Sequence, residues 1–568
     1  MELYAILIIV GLFILVAFLL GLRDKITAEK NLIKILTRIY GQAPTKHYKN
    51  DDMDHVTGFY RNHQDDFQID DTTWNDLNMD GVFKRLNYCL SAAGEEYLYY
   101  MLRTPKQEDD FEKLEKQVDF LKKNDEDRRK IQLIFHRIGN TSRYSIYDYI
   151  DYLEKFGKGS NNFHYIMLLV LLGAIVLCFV NFNYGFIALI ILMVVQIISY
   201  FRIKSNIDPY LVTYNYIMRV LSSVKNFSSL KQDVFAEDME ELKKAAAEFS
   251  SFRMGADILL SPARNNSSGN PVDLVMDYIR MVTHLDIIKF NQMFRIIVEK
   301  MDKLDKIMEI TGRIEACVSI ACFRASFEGR YVIPEFAKGP YMGKELIHPL
   351  IEDAVANDIE TGRGVLLTGS NASGKSTFLK TCAINSILAQ SIHTVIGSEY
   401  KAEFYRIFSS MALKDDIFEG DSYYIVEIKS IKRILDAAAQ EGSRVLCFVD
   451  EVLRGTNTVE RIAASTQILK KLAKEGVSCF AATHDIELTA LLKEEYDIYH
   501  FEGDVTDNDV HFDYKLKQGP ATTRNAIKLL GVLGYDENIV QDAQKMADDF
   551  LVKGKWAVEQ NYLRKDIY

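Results

Sequence analysis

The sequence predicts a C-terminal α/β domain with a parallel sheet and flanking helices, preceded by charged helical regions and three transmembrane helices. From about residue 336 onward, short apolar runs alternate with helical patterns, which is typical of a parallel α/β sheet. Before that point, three apolar runs are long enough to cross a bilayer. The stretches between them carry apolar residues at three- and four-residue intervals, which predicts amphipathic helices.

The composition of the 568 residues fits a chain that mostly folds, because 48% of them are hydrophobic and 26% are charged. The formal net charge of −11 argues against a generally basic protein that coats nucleic acid. Seven cysteines are scattered without any C-x-x-C pair, and several lie in apolar runs. They are interpreted as reduced, buried thiols of a cytoplasmic protein.

The first apolar run, Leu3 to Leu20, is just long enough to span the hydrocarbon of a bilayer. Only Glu2 separates it from the initiator methionine, so the basic n-region of a signal peptide is missing. Arg23 and two nearby lysines follow the run. Because basic flanks stay in the cytoplasm, residues 1–22 are predicted to be a retained anchor with its N-terminus outside.

A second apolar block, residues 165–201, breaks at the polar turn 181–185. As one helix it would be about 55 Å long, far beyond a bilayer of about 30 Å. Two spanning helices, 165–180 and 184–201, fit better, and residues 164–202 are assigned to this transmembrane hairpin. Three spans with basic flanks predict a multi-pass protein of the cell (inner, cytoplasmic) membrane whose C-terminal domain is cytoplasmic. The alternative is a buried helical hairpin in a soluble core.

Two helical regions flank the hairpin, residues 23–163 before it and 203–335 after it. In the second region a polar, turn-rich loop at 261–271 separates two helical arms. The later arm, Val272 to Phe323, carries apolar residues at three- and four-residue spacing and is predicted to be helical. Periodicity alone leaves open whether these helices form an ordinary bundle or long levers.

The segment Gly369 to Ser376 has the spacing G-x-x-x-x-G-K-S. An apolar run interpreted as a strand, Val365–Thr368, precedes it, and a helical pattern at 376–390 follows it. Glycines let backbone N–H groups turn inward and the helix N-terminus adds its positive dipole end, so this context predicts a P-loop that binds the phosphates of a nucleotide. Lys375 is expected to reach the outer phosphates and Ser376 to hold Mg²⁺. The alternative is a glycine loop that is merely a turn.

Two further strand patterns end in chemically useful residues. Residues 445–449 lead into Asp450 and Glu451. Asp450 can hold Mg²⁺ through water, and Glu451 can orient or deprotonate the attacking water. The run 479–482 leads into His484, which is expected to sense the terminal phosphate at the carboxyl edge of the sheet.

These motifs together resemble those of the MutS family of DNA mismatch-repair ATPases. Residues 368–377 read TGSNASGKST, and the family has TGPNxxGKST. Residues 450–458 read DEVLRGTNT against DExxRGTST, and residues 482–488 read ATHDIEL against ATHxxEL. An upstream histidine–proline pair is present at 348–349. The resemblance covers roughly residues 336–550.

The resemblance implies an ATP hydrolase that uses ATP and Mg²⁺. It implies catalytic roles for Glu451, His484 and Lys375. It also implies that Ser376 and Asp450 hold Mg²⁺. The residues implied to bind the nucleotide are Gly369, Asn371, Gly374, Lys375, Ser376 and Thr377.

In this family two ATPase domains pair, and a serine-containing loop of one reaches the nucleotide of the other. Ser422 and Glu427 match that loop, so the resemblance implies a homodimer in which both residues act in trans. The ATPase domain is assigned to residues 336–568, with dimerisation helices at its C-terminal end. A weaker resemblance over 68–140 suggests a core-like region before the hairpin and lever-like helices after it.

Departures from the family bear on DNA binding. No mismatch-reading domain is recognised ahead of the core-like region, and only the loop 261–271 is available for a clamp, so a shortened clamp is expected. Ala354 occupies the position where relatives carry an adenine-stacking aromatic residue. DNA binding is a further implication of the resemblance, whereas tight mismatch-selective binding is not expected from this sequence.

Two other functions remain open. Membrane spans with a nucleotide domain also suit a transport or export ATPase, but such ATPases carry LSGGQ where this chain has GDSYY, starting at Gly420. A non-catalytic membrane scaffold would not need the intact catalytic residues. The favoured function is a membrane-anchored MutS-like ATPase that works as a dimeric conformational switch.

Overall fold

The computed structural model describes residues between 23 and 556 with gaps, and these residues form two compact units. The first predicted span at 3–20 and the loop 261–271 lie outside the described residues, as do Asn371 and Ser422. The other residues that are not described between positions 23 and 556 are 25, 47, 49–52, 142–143, 151–159, 208–209, 229–232, 254–260, 272–277, 372, 412–421, 441, 443, 475, 506–509, 522–525 and 555.

The first unit is helical and combines residues 1–66, 83–103 and 111–328. Its core is formed by the apolar faces of these helices, as their three- and four-residue spacing predicts. Its α-helices include Gly58–Asn62, Ala92–Arg103, Glu112–Lys123, Asp125–Ile138, Asn162–Val180, Phe182–Ile207, Leu211–Ser228, Ala236–Ala247, Ser250–Arg253, Leu285–Glu299 and Met301–Ser326.

The helical pattern from Val272 to Phe323 is confirmed for its described part. It includes the helices Leu285–Glu299 and Met301–Ser326, which are separated at Lys300. Lys300 leaves helical geometry, with φ −125° and ψ 32°. A break of one residue shifts the apolar stripe by only about 100°, so periodicity over a long window does not reveal it.

Two long apolar helices form the predicted hairpin. They are Asn162–Val180 and Phe182–Ile207, joined at Asn181. Within the described part of the chain these two helices are long and apolar enough to cross a membrane, so two of the three predicted spans can be compared with the structure. The most apolar stretches of the two helices are only 17% and 11% buried. Burial this low differs from that of a core helix in a soluble protein.

The second unit combines residues 67–82, 104–110 and 329–568 and contains two sheets. Its described strands are β1 (Glu335–Phe336), β2 (Tyr341–Leu346), β3 (Asn357–Thr361), β4 (Gly364–Thr368), β5 (Glu399–Ala402), β6 (Arg406–Ser410), β7 (Val445–Asp450), β8 (Val477–Ala482), β9 (Tyr496–Val505) and β10 (Val510–Gln518). The larger sheet has the order β10–β9–β4–β8–β7–β6, and the smaller one has the order β1–β5–β2–β3.

The larger sheet is parallel except at one edge, where β10 pairs antiparallel with β9. The three predicted strands are confirmed as β4, β8 and β7, which lie side by side. Their continuous apolar character is typical of parallel strands that are covered on both faces. The antiparallel edge and the four-stranded second sheet were not predicted. Because parallel strands share their direction, the residues that follow β4, β7 and β8 meet at one edge of the sheet.

Helices cover this sheet. The helix predicted at 376–390 is confirmed as Lys375–Ile392, with boundaries shifted by one or two residues. The α-helices described within the second unit are Asp71–Asp76, Lys375–Ile392, Tyr423–Ala439, Thr458–Leu472, Glu487–Leu491, Ala526–Val532 and Glu537–Lys553, while Met79–Leu86 starts in this unit and ends in the first.

The short helix Asp71–Asp76 belongs to the second unit although it lies far upstream in the sequence. Its buried Asp76 accepts hydrogen bonds from Ser409 Oγ at 2.8 Å and from the Met411 N–H at 2.9 Å. Asp70, which caps the helix, is paired with Arg433. These polar contacts at the end of β6 are long-range in sequence, so a segment-by-segment division of the chain does not reveal them.

Candidate active site

The glycine loop, residues 369–376, needs glycine at two of its positions. Gly369 has φ +139° and Gly374 has φ +110°, a region of backbone conformation that favours glycine. A Cβ at Gly369 would lie 2.6 Å from the carbonyl oxygen of Phe501. At Gly374 it would lie 3.3 Å from the ring of Tyr514. Glycine is therefore favoured at these two positions because the loop backbone adopts conformations that residues with a Cβ rarely adopt.

Lys375 begins the helix after the glycine loop and folds back over that loop. Its Nζ donates hydrogen bonds to the carbonyl oxygens of Gly369 at 2.8 Å and Ser370 at 2.7 Å. Burial lowers the pKa of Lys375 to about 8, although the nearby carboxylates Asp450 and Glu451 act in the opposite direction. A cation held by two carbonyl groups is available to an anion that enters the loop.

Ser376 and Asp450 meet at the carboxyl edge of the sheet. The Ser376 hydroxyl donates to Asp450 Oδ2 at 2.5 Å. Asp450 Oδ1 is buried and has no hydrogen-bond partner among the described residues, and the same holds for the hydroxyl of Ser373 in the glycine loop. Buried polar atoms are rarely left without a partner, so the two orphaned oxygens mark this edge as a place for a polar ligand.

Glu451 starts the acid loop, the segment 451–456 that follows β7. Its Oε1 lies 2.6 Å from His484 Nε2, and its Oε2 is paired with the guanidinium of Arg454. Burial disfavours the charged carboxylate, but the hydrogen bond and charge of His484, together with Arg454, hold the pKa of Glu451 below its ordinary value. The ends of β7 and β8 thus bring an ionised acid and an imidazole into direct contact.

Glu427, which the resemblance implies to act in trans, is buried. It is 3% exposed, and its Oε1 accepts a hydrogen bond from the N–H of Arg454 in the same chain at 3.1 Å. The carboxylate thus contacts the acid loop of its own chain. Ser422, the other residue predicted to act in trans, lies outside the described residues.

A cavity of about 570 Å³ opens over the glycine loop. Lys375, Ser376, Glu451 and His484 are among the residues that line it. The remaining described residues that line it are Leu346, His348, Ile351, Asp353, Ala354, Val355, Asn357, Ser373, Gly374, Thr377, Phe378, Thr381, Phe501 and Tyr514. The predicted residues Gly374 and Thr377 are therefore at the cavity, whereas Asn371 lies outside the described residues.

Tyr514 is a cavity residue that sequence reasoning missed. It lies on β10, where the pairing register with β9 shifts between Phe512 and Leu516. Its φ of +51° is unusual for an aromatic residue, and its carbonyl oxygen accepts a hydrogen bond from the side chain of Asn357 at 3.0 Å. The ring therefore supplies an aromatic surface to the cavity that contains Ala354. An aromatic residue on an alternating strand gives no sequence signal of this role.

His348, from the predicted histidine–proline pair, also lines the cavity. Its Nδ1 accepts a hydrogen bond from the N–H of Leu350 at 3.2 Å. Burial, assisted by the charge of Lys380, lowers the pKa of His348 to about 4. The imidazole is therefore neutral at physiological pH and contributes a polar but uncharged wall.

Comparison with known proteins identifies the lineage of this site. Residues 365–551 match the family model described as MutS domain V. This part of the chain is therefore assigned to the MutS domain V family. The matched range contains most of the strand before the glycine loop, the glycine loop itself, both acids and His484, whereas the cavity residues between Leu346 and Asn357 precede it.

Several curated MutS proteins are similar to this chain over part of its length. The DNA mismatch repair protein MutS of Pseudothermotoga lettingae is 32% identical over 235 residues, which are 38% of this chain and 28% of that protein. MutS of Thermus thermophilus is 30% identical over 38% of this chain and 26% of its own length. MutS 2 of Haloarcula marismortui is 32% identical over 35% of this chain and 21% of its own length. The chain spans less than a third of each of these relatives.

Proposed function

We propose that this chain is a membrane-anchored MutS-type P-loop ATPase that binds and hydrolyses ATP as a dimeric conformational switch. The observation that carries this proposal is the cavity in which Lys375 and Ser376 face Glu451 and His484. Phosphoryl transfer to water depends mainly on positioning and on charge stabilisation, and these four side chains supply both.

The nucleotide phosphates are proposed to enter the glycine loop. Lys375 then exchanges its two carbonyl contacts for phosphate oxygens, and the orphaned hydroxyl of Ser373 gains an acceptor. The N-terminus of helix Lys375–Ile392 adds its positive dipole end to this site. The aromatic face of Tyr514 and the apolar wall near Ala354 suit the base.

The donor set beside the glycine loop fits Mg²⁺, which prefers hydroxyl and carboxylate oxygens. Ser376 would hold the ion directly, and Asp450 would hold it through water. Mg²⁺ would neutralise the charge that develops on the transferred phosphoryl group. The buried, unpartnered Oδ1 of Asp450 is the observation that supports this assignment.

Glu451 is proposed to accept a proton from the attacking water. Its pKa is held below the ordinary value, so the carboxylate is ionised and ready to act as a base. His484, 2.6 Å from Oε1, is proposed to orient Glu451 and to sense the terminal phosphate. Purified full-length protein should hydrolyse ATP in the presence of Mg²⁺ and should stop when the ion is chelated. A chain that releases no phosphate under these conditions would contradict the proposal.

The affinity for ATP should fall as the pH rises above about 8. Lys375 loses its proton near that pH in the free protein, and only the charged form attracts phosphate strongly. The dissociation constant should be flat below this pH and should rise by up to about tenfold per pH unit above it. Calorimetric titration with a non-hydrolysable ATP analogue measures this dependence. The Lys375→Ala variant should bind ATP more weakly, and its dissociation constant should not depend on pH in this range. An equal pH dependence in that variant would mean that a group other than Lys375 titrates.

The apolar hairpin is proposed to cross the membrane, with the ATPase domain in the cytoplasm and the N-terminus outside. Large apolar side chains along the hairpin are exposed, among them Leu169 at 69%, Phe179 at 88% and Ile198 at 65%. So large an exposed apolar surface suits hydrocarbon rather than water. With the predicted anchor at residues 1–22, the hairpin makes a multi-pass protein.

Proteolysis of sealed vesicles tests this topology. In inverted vesicles, whose cytoplasmic face points outward, protease should digest both the region 30–160 and the ATPase domain. In right-side-out vesicles both regions should be protected until detergent is added. Digestion of residues 30–160 in right-side-out vesicles, with the ATPase domain protected, would show that the proposed topology is wrong.

Homodimerisation and DNA binding are proposals that rest mainly on the family. The helix Glu537–Lys553 supports a dimer because its apolar residues Ile539, Met546 and Leu551 are each more than half exposed. The named relatives are DNA mismatch repair proteins, which favours a role on DNA. The formal charge of −11 favours weak rather than tight binding to a polyanion.

A further inference from the structure

A buried carboxylate lies directly against the backbone of the acid loop. Glu427, near the start of helix Tyr423–Ala439, is 3% exposed and accepts a hydrogen bond from the N–H of Arg454 at 3.1 Å. Burial raises the pKa of Glu427, while the N–H groups of Arg454 and its two neighbours along the loop act in the opposite direction. A buried acid that accepts a hydrogen bond from a loop N–H fixes the backbone at that residue.

The acid loop needs a stabilising contact of this kind because two of its non-glycine residues have left-handed backbone conformations. The angle φ is +56° at Glu451 and +59° at Leu453. Residues with a Cβ keep this conformation only where their surroundings hold it. The N–H of Glu451 donates to the carbonyl oxygen of Ala482 at 2.9 Å, which fixes the start of the loop on β8. Glu427 holds the part of the loop that follows Leu453.

A second residue of the same helix also contacts this loop. A Cβ built on Gly455 would lie 3.1 Å from the Cβ of Tyr424, so the loop backbone approaches the helix closely at that point. Tyr424 and Glu427 therefore fix one end of the loop. The other end places the carboxylate of Glu451 at 2.6 Å from His484.

We propose that Glu427 is a positioning residue for ATP hydrolysis, which holds the acid loop so that Glu451 faces the terminal phosphate in its own subunit. The inference rests on the proposed ATPase function. It replaces the action in trans that the family resemblance implies for this residue. Because Glu427 does not line the cavity, it should affect the rate of hydrolysis and leave the affinity for ATP unchanged.

Two substitutions at this position test the role. Glu427→Gln keeps the size and one acceptor oxygen of the side chain but loses the negative charge. Glu427→Ala removes the acceptor of the hydrogen bond from the N–H of Arg454. We expect kcat to fall by about tenfold in the first variant and about 100-fold in the second, because a displacement of about 1 Å at a reacting group costs that much. The dissociation constant for ATP should stay at the wild-type value. Asp436→Asn, which removes an exposed carboxylate of the same helix, is the matched control and should leave both quantities unchanged.

The outcomes separate this inference from the proposed function. Wild-type kcat in both Glu427 variants, with an inactive Glu451→Gln variant, would overturn the positioning role and leave the ATPase intact. A wild-type protein without ATP turnover would overturn the function itself. If the alanine variant loses ATP binding because it misfolds, the glutamine variant decides. A loss of affinity in the folded glutamine variant would also contradict the inference.

Mixed dimers distinguish action within one subunit from action in trans. One tagged chain carries Glu427→Ala, and a differently tagged chain carries Glu451→Gln. If Glu427 acts on Glu451 of its own chain, both sites of the mixed dimer are impaired, and its activity should equal the mean of the two variant homodimers. If Glu427 acts in trans, one composite site is intact, and about half of the wild-type activity should return. Recovery of half the activity would overturn the inference, whereas activity at the mean of the two variant homodimers would support it.

Discussion

Replacing Glu451 with glutamine should lower kcat for ATP hydrolysis by at least about 100-fold, the range expected when a general base is lost. Glutamine has nearly the same shape but does not accept a proton from water. The carboxylate of Glu451 is ionised in the free protein, held so by the adjacent His484 and by Arg454. The variant should therefore bind ATP with wild-type affinity and trap it. Single-turnover release of phosphate, measured beside equilibrium binding of a fluorescent ATP analogue, separates the two quantities.

The control for this variant is Glu494→Gln, which removes an acid that is 82% exposed in the same domain. It should hydrolyse ATP at the wild-type rate. Wild-type turnover in Glu451→Gln would remove Glu451 from the mechanism and would leave the contact with His484 as a structural ion pair only. Weaker ATP binding with normal turnover of the bound ATP would be equally inconsistent with a general base.

Replacing Lys375 with alanine should abolish both tight ATP binding and turnover. Lys375 is the cation of the glycine loop, and its Nζ already faces two carbonyl oxygens at 2.8 Å and 2.7 Å. Without it, the phosphates would meet those carbonyl oxygens with no compensating positive charge. A charge-assisted contact of this kind contributes about 1.5–3 kcal/mol, so affinity should fall by at least about tenfold. Calorimetric titration with ATP and Mg²⁺ measures this loss.

Lys493→Ala is the control for this second variant, because that lysine is 69% exposed and lies outside the cavity. It should bind ATP with wild-type affinity. If Lys375→Ala binds and hydrolyses ATP normally, the glycine loop is a turn without a phosphate role. The two catalytic-site variants thus test different steps, since Lys375 acts on binding and Glu451 acts on the bound nucleotide.

Much of the site could be predicted because its residues lie at the ends of strong local patterns. β4, β7 and β8 are apolar runs, and each leads into a polar residue that the structure brings to one edge of the sheet. Once the strands are recognised, their parallel pairing places the residues that follow them at the same edge of the sheet. The hairpin was equally predictable, because two long apolar runs with a polar turn between them have few other arrangements.

The features of the site and fold that could not be predicted depend on contacts between residues that are distant in sequence. The buried state of Glu427 follows from packing against a loop that comes 27 positions later, as its hydrogen bond to Arg454 shows. The place of Asp76 beside Ser409 joins segments that are 333 residues apart. Tyr514 lines the cavity at a point where the pairing of β10 with β9 is irregular. The alternation of apolar and polar residues along the strand does not predict this irregularity.

The residues of the candidate site can be recognised without coordinates, because a glycine loop with its lysine, two acids after a buried strand and a histidine after another form a local pattern. The apolar hairpin is equally visible in the chain, since hydrophobicity over a bilayer's length is a property of the segment alone. The inward position of Glu427, the left-handed conformations of Glu451 and Leu453 and the break between helices at Lys300 become visible only in the folded chain. These features arise from burial and hydrogen bonding between distant elements, and such interactions leave no periodic trace in the chain.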